Sequence, residues 1–209
     1  VRRLILAAAP VLVAGAAAHG GIPEIDQAGE PLQCAIAGRY EGWGFALDVP
    51  KGLKGCDGWP RAILIPLGRR EENRYVIADG LDSAALVENE AVGLIASFLD
   101  AADLPGAKLE AHDRTWLGLA RAERLTFSYF DPVKGDPMRI VFVTALSGPV
   151  VDETGAPAYA VSLSLTTTLA TYREDLAVFE RIRRSWVELD DEECCCSVNA
   201  VDPAIVASR

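Results

Sequence analysis

AYAVSLSLTTTLATYREDLAVFERIRRSW, residues 158–186, changes its hydrophobic period midway, and that change decides the fold. Up to Thr166 the side chains alternate. Tyr159, Val161, Leu163 and Leu165 fall on one side of an extended chain, with Ala160, Ser162, Ser164 and Thr166 on the other. A period of two is the signature of a half-buried strand. From Tyr172 the spacing lengthens to three or four, through Leu176, Phe179, Ile182 and Trp186, which is the apolar stripe of an amphipathic helix. Thr171 and Glu174 have capping-box spacing at its start. Glu180 stands four residues before Arg184, placed for an ion pair along the helix. Such a helix must bury its stripe against another layer, and the strand beside it supplies a sheet.

The rest of the chain provides that sheet. MRIVFVTAL (138–146) is apolar on both sides and reads as a central strand. KLEAHDRTW (108–116) and GLARAERLTFSYF (118–130) alternate, while FDPVKGDP (130–137) and SGPVVDETGAP (147–157) read as loops. In GFALDVPKG (44–52), Phe45, Leu47 and Val49 alternate until Pro50 stops the run. RAILIPL (61–67) and YVIA (75–78) are two more strands, with RREEN (69–73) as a solvated turn between them. SAALVENEAVGLIASFLDAA (83–102) predicts a second helix, with Asp82 or Ser83 as its cap and Ala84, Val87, Ala91, Ile95 and Phe98 on one face. The sum is an α+β chain: a mostly antiparallel sheet with helices packed on it, forming a single domain over residues 40–189.

GFALDVPKG, followed much later by LSLTTTLATYREDLAVFERIRRSW, resembles the PsbP-like α/β/α sandwich family over about residues 40–186. The match is one of element order: an early strand ending in a proline turn, then a threonine-bearing last strand leading into a helix with a tyrosine near its start. The resemblance implies a non-catalytic accessory or binding role. The photosystem-binding role of some members is not carried over. The cysteines described next depart from the family pattern.

The termini predict a destination. VRRLILAAAPVLVAGAAAHG has two arginines, a 15-residue apolar run from Leu4 to Ala18, and small residues at its end. That is the layout of a secretory signal peptide, residues 1–18, with an uncleaved anchor as the alternative. Cleavage fits after Ala16 or after Ala18. Residues 19–39 read as an extended lead-in. The expected location is periplasmic or secreted, with no membrane association once the leader is removed. Cys34 and Cys56 flank a predicted strand and form the natural disulfide pair in an oxidising compartment; two unpaired core cysteines are the alternative. Residues 190–209 form an acidic tail with Cys194, Cys195 and Cys196, read as frayed, with a soft-metal thiolate cluster as the other possibility.

Charge and missing motifs exclude much. The formal net charge is -10, and -12 without Arg2 and Arg3. That field repels polyanions, so nucleic acid is not an expected partner and a basic envelope protein is. G-x-S-x-G, P-loop, dinucleotide, H-E-x-x-H and Cys-x-x-Cys signatures are all missing from the sequence. The reading is therefore an exported, non-catalytic binding, accessory or inhibitor-like protein without a cofactor. Trp43 and Trp59, near glycines, are candidates for stacking on a ligand, with packing as the alternative. The competing functional reading is copper. His19, at or near a new amino terminus, combines an amine with an imidazole, and His112 is the other histidine available as a ligand.

Overall fold

A computed structural model of the protein describes residues 33–42, 44–59, 62–82, 104, 106–151 and 157–189. The predicted second helix, the leader, His19, Trp43 and the cysteine tail lie outside these residues.

Eleven strands and one α-helix are described. In chain order they are β1 (Gln33–Ile36), β2 (Gly38–Gly42), β3 (Phe45–Val49), β4 (Gly55–Trp59), β5 (Ala62–Pro66), a 3-10 turn (Arg70–Glu72), β6 (Tyr75–Asp82), β7 (Lys108–Leu117), β8 (Ala120–Phe130), β9 (Pro137–Val151), β10 (Pro157–Thr168), α1 (Tyr172–Arg184) and β11 (Val187–Glu188). Eight strands make one sheet in the order β1-β4-β5-β6-β10-β9-β8-β7, and β11-β3-β2 make a second. Every pairing is antiparallel.

The period-two pattern puts alternate residues of each strand on a common face. Ile63, Ile65, Val76, Ala78, Val141, Val143, Val161, Leu163 and Leu165 form one apolar face of the large sheet. Against it lie Phe45, Leu47 and Val49 from the small sheet and Phe179, Ile182 and Trp186 from the helix segment. Phe45 stacks on Trp186 with ring centroids 4.4 Å apart. The opposite face is buried too, at Leu64, Ile77, Leu125, Met138 and Ile140. The central position of the 138–146 segment, apolar on both sides, is thereby explained.

Several local expectations are corrected. Residues 147–151 continue β9 and Pro157 opens β10, so these residues of the predicted loop are strand. Asp82, one of the two cap candidates, is the last residue of β6, opposite Tyr159, and the helix it would cap lies outside the described residues. Thr171 occupies the helix N-cap without a side-chain capping bond. Its hydroxyl turns back to Thr167 and Thr168, at 3.1 and 2.8 Å, because three consecutive threonines offer partners on the sheet. Glu180 pairs with Arg183 at 2.8 Å and with Arg124 of β8 at 3.3 Å, leaving Arg184 exposed. Arg183 is half-buried on the side where Glu180 meets Arg124, whereas Arg184 is turned to solvent.

Cys34 and Cys56 sit opposite each other on β1 and β4 and are joined by a disulfide. The bridge ties the short edge strand to the sheet. It closes a loop with a sequence separation of 22, a constraint worth about 3 kcal/mol through the unfolded chain. The Cys34→Ser/Cys56→Ser variant should lose about that much stability in urea, read as a lower midpoint.

Candidate functional site: the β7–β8 hairpin

β7 is an edge of the large sheet, and most of its side chains are exposed. His112, Arg114 and Trp116 alternate onto the face opposite the helix, paired with Leu125, Glu123 and Arg121 of β8. Trp116 is 53% exposed, with the Arg121 guanidinium 6.0 Å from its ring centre. His112 Nε2 lies 3.5 Å from Glu123 Oε2. Leu119, in the turn, is 94% exposed. The result is an indole platform with arginines beside it and an apolar tip. Planar stacking and cation–π contacts suit this arrangement.

The hairpin is held rigidly from behind. Arg183 of α1 donates to the Trp116 carbonyl. The same guanidinium is fixed by Glu180, which also accepts from Arg124 of β8. Gly118 has φ +59°, and a Cβ there would stand 3.1 Å from the Trp186 ring. The turn needs glycine both for its left-handed backbone and for this close approach.

A second polar cluster lies at the opposite end of the sheet, under the start of α1. Arg74 donates to both oxygens of the buried Asp175, from Nε at 2.9 Å and from the terminal nitrogen at 2.7 Å. Thr167 also donates to Asp175, at 2.5 Å, and Glu72 takes a further Arg74 bond at 2.9 Å. Burial alone would push the Asp175 carboxyl up. The hydrogen bonds from Arg74, Thr167 and Thr171, with the Arg74 charge, outweigh burial and hold it below the ordinary carboxylate range. Each group here is spent on another, so the cluster fastens the helix to the sheet.

The candidates from the sequence scatter. His112 lies on the hairpin, with its neighbour Asp113 on the other face, opposite Arg124. Trp59 closes β4, far along the sheet order from β7. Among the described residues no group of three histidine, cysteine or carboxylate side chains is arranged to hold a metal ion, and no helix is long and apolar enough to cross a membrane. Charge divides unevenly. The described residues hold 16 basic and 16 acidic side chains, so the excess carboxylates of the chain lie outside them. Sequence reasoning passed over Trp116, although strand alternation already groups it with His112 and Arg114 on a polar face.

These elements define an antiparallel α+β sandwich. No protein-family model and no curated protein matches the chain. Among solved structures, a point mutant of the protein Mog1 is similar with a TM-score of 0.50 and 11% identity, covering 77% of this chain and 100% of its own. The cyanobacterial PsbP of Synechocystis sp. PCC 6803 has a TM-score of 0.48 and 14% identity, covering 74% and 95%. LpqN of Mycobacterium tuberculosis, described as involved in cell envelope biogenesis, has 0.48 and 16%, covering 80% and 99%. A PsbP, from the family whose element order the strand-to-helix pattern resembles, is among these similar structures. The likeness to Mog1, at 11% identity, concerns fold alone.

Proposed function

We propose that this chain is an exported, non-catalytic binding or accessory protein of the bacterial envelope, inhibitor-like in acting through a surface. The observation that carries the reading is the rigidly backed β7–β8 hairpin with its exposed Trp116 and Leu119. Large exposed apolar side chains beside arginine are typical of the anchors that dominate protein contacts. A basic partner fits the carboxylate excess, which belongs to residues beyond the described fold. The hairpin adds a stacking contact to that long-range attraction.

A photo-crosslinking residue in place of Leu119, in cells exporting the protein, tests this. One specific envelope protein should be captured. Trp116→Ala should reduce capture about tenfold or more, without lowering the thermal midpoint, since its side chain is half exposed. A crosslinker at exposed Lys51 should capture nothing specific. Equal, unspecific labelling from both positions, together with substrate turnover by the purified protein, would overturn the proposal. The competing copper reading draws on the accessible His112 imidazole beside Glu123. One copper per secreted chain, lost in His19→Ala, would favour it instead.

A further inference from the structure

Two hairpin loops meet over the sheet face opposite α1. The β5–β6 loop carries Asn73, and the β8–β9 loop carries Asp131. Asn73 Nδ2 donates to Asp131 Oδ2 at 3.3 Å. Yet β6 and β8 are separated in the sheet by β10 and β9, which at ordinary strand spacing is about 14 Å. The two loops therefore arch toward each other across the ends of β10 and β9. Lys134 reaches over from one loop to the Glu71 carbonyl of the other.

The arch encloses polar groups. Thr166, opposite both Tyr75 and Ile140, lies on the floor. Tyr75 and Tyr129 approach from the two sides. Asn73, Tyr75, Tyr129, Asp131 and Thr166 are all buried. Asp131 is well supplied, since its Oδ1 accepts the backbone N–H groups of Val133 and Lys134, both at 2.8 Å. The Asn73 Oδ1, Tyr75 and Tyr129 hydroxyl and Thr166 Oγ1 atoms have no hydrogen bond of good geometry among the described residues. Leaving each unmatched costs stability, and four together in one place is unusual.

The chemistry of the set selects its occupant. Asn73 Oδ1 only accepts, so the occupant must donate. The three hydroxyls can donate as well, so it must also accept. Burial pushes both phenols above their ordinary range and keeps them protonated. The nearby Thr166 hydroxyl offsets part of the rise at Tyr75, and the Asp131 carboxylate adds to the rise at both. An anion would meet the Asp131 carboxylate, and an apolar group would match nothing. We propose that Asn73, Tyr75, Tyr129 and Thr166 form an internal hydration site, holding ordered water that locks the two loops together. A buried water making about three hydrogen bonds is suited to such a site.

Thr166→Val and Tyr75→Phe remove one hydroxyl each while keeping the shape nearly unchanged. If water bridges these groups, each variant should raise the unfolding constant roughly tenfold, because the water and its other partners lose a bond. A crystal structure of the wild type should place a water within about 3 Å of at least two of the four atoms. Neutral or stabilising effects of both variants, with no density there, would mean a dry cluster and overturn the proposal. So would a peak at about 2.4 Å from several oxygens, which marks a cation.

Discussion

Asp175→Ala is expected to destabilise the protein by about 3–5 kcal/mol, the usual cost of removing one partner from a buried ion pair. The substitution leaves the Arg74 guanidinium without its two charge-assisted bonds and Thr167 without an acceptor. It also frees the first turn of α1 from β6 and β10. Urea denaturation measures the loss directly. A change under about 1 kcal/mol, the scale of an exposed pair, would show that the cluster does not fasten the helix.

The same carboxylate makes stability depend on pH in a defined direction. Its folded pKa is depressed below that of the unfolded chain, about 3.9 for an aspartate. Its contribution is then fully present above that unfolded value and is lost as pH falls through the folded one. Asp175→Asn should be less stable than wild type at neutral pH, and its stability should fall less as the pH drops below about 4. Parallel pH profiles for the two proteins would contradict the assignment.

Phe45→Ala should cost about 3–5 kcal/mol through a cavity in the middle of the core. Phe45 is fully buried, stacked on Trp186 and 5.7 Å from the Tyr40 ring centre. It belongs to the three-stranded sheet, whereas Trp186 follows the helix, so this stack joins two elements far apart in sequence. Adding Trp186→Ala should cost less in the Phe45→Ala background than in wild type, because the stack is already gone. A coupling energy of about 0.5–1.5 kcal/mol in a double-mutant cycle is expected. Strict additivity would mean that the rings pack independently.

Residues 158–186 show how far pattern carries. The switch from period two to period three or four located β10 and α1 and identified Phe179, Ile182 and Trp186 as core residues. Alternation elsewhere located β3, β5, β7 and β8, and the doubly apolar 138–146 segment marked β9 as interior. These features are local in the chain, since each depends on whether neighbouring side chains share a face. Polar pairing was less legible. Glu180 had a helical neighbour in Arg184 but chose Arg183 and Arg124, and Thr171 abandoned the capping box for the sheet threonines. Asn73 read as part of a solvated turn yet is buried, and the buried Asp175 was not singled out at all.

The amino-acid sequence by itself determined the types of β3, β5, β7–β10 and α1, their apolar faces and the antiparallel α+β class, because backbone geometry converts residue spacing directly into facing. Only the tertiary structure decided which charges are buried, which tryptophan faces solvent and which loops meet. Those outcomes depend on strand order and register. Asn73 and Asp131 are 58 residues apart and come together across two intervening strands. No periodicity encodes that meeting, because it arises from the strand order that sets β10 and β9 between β6 and β8.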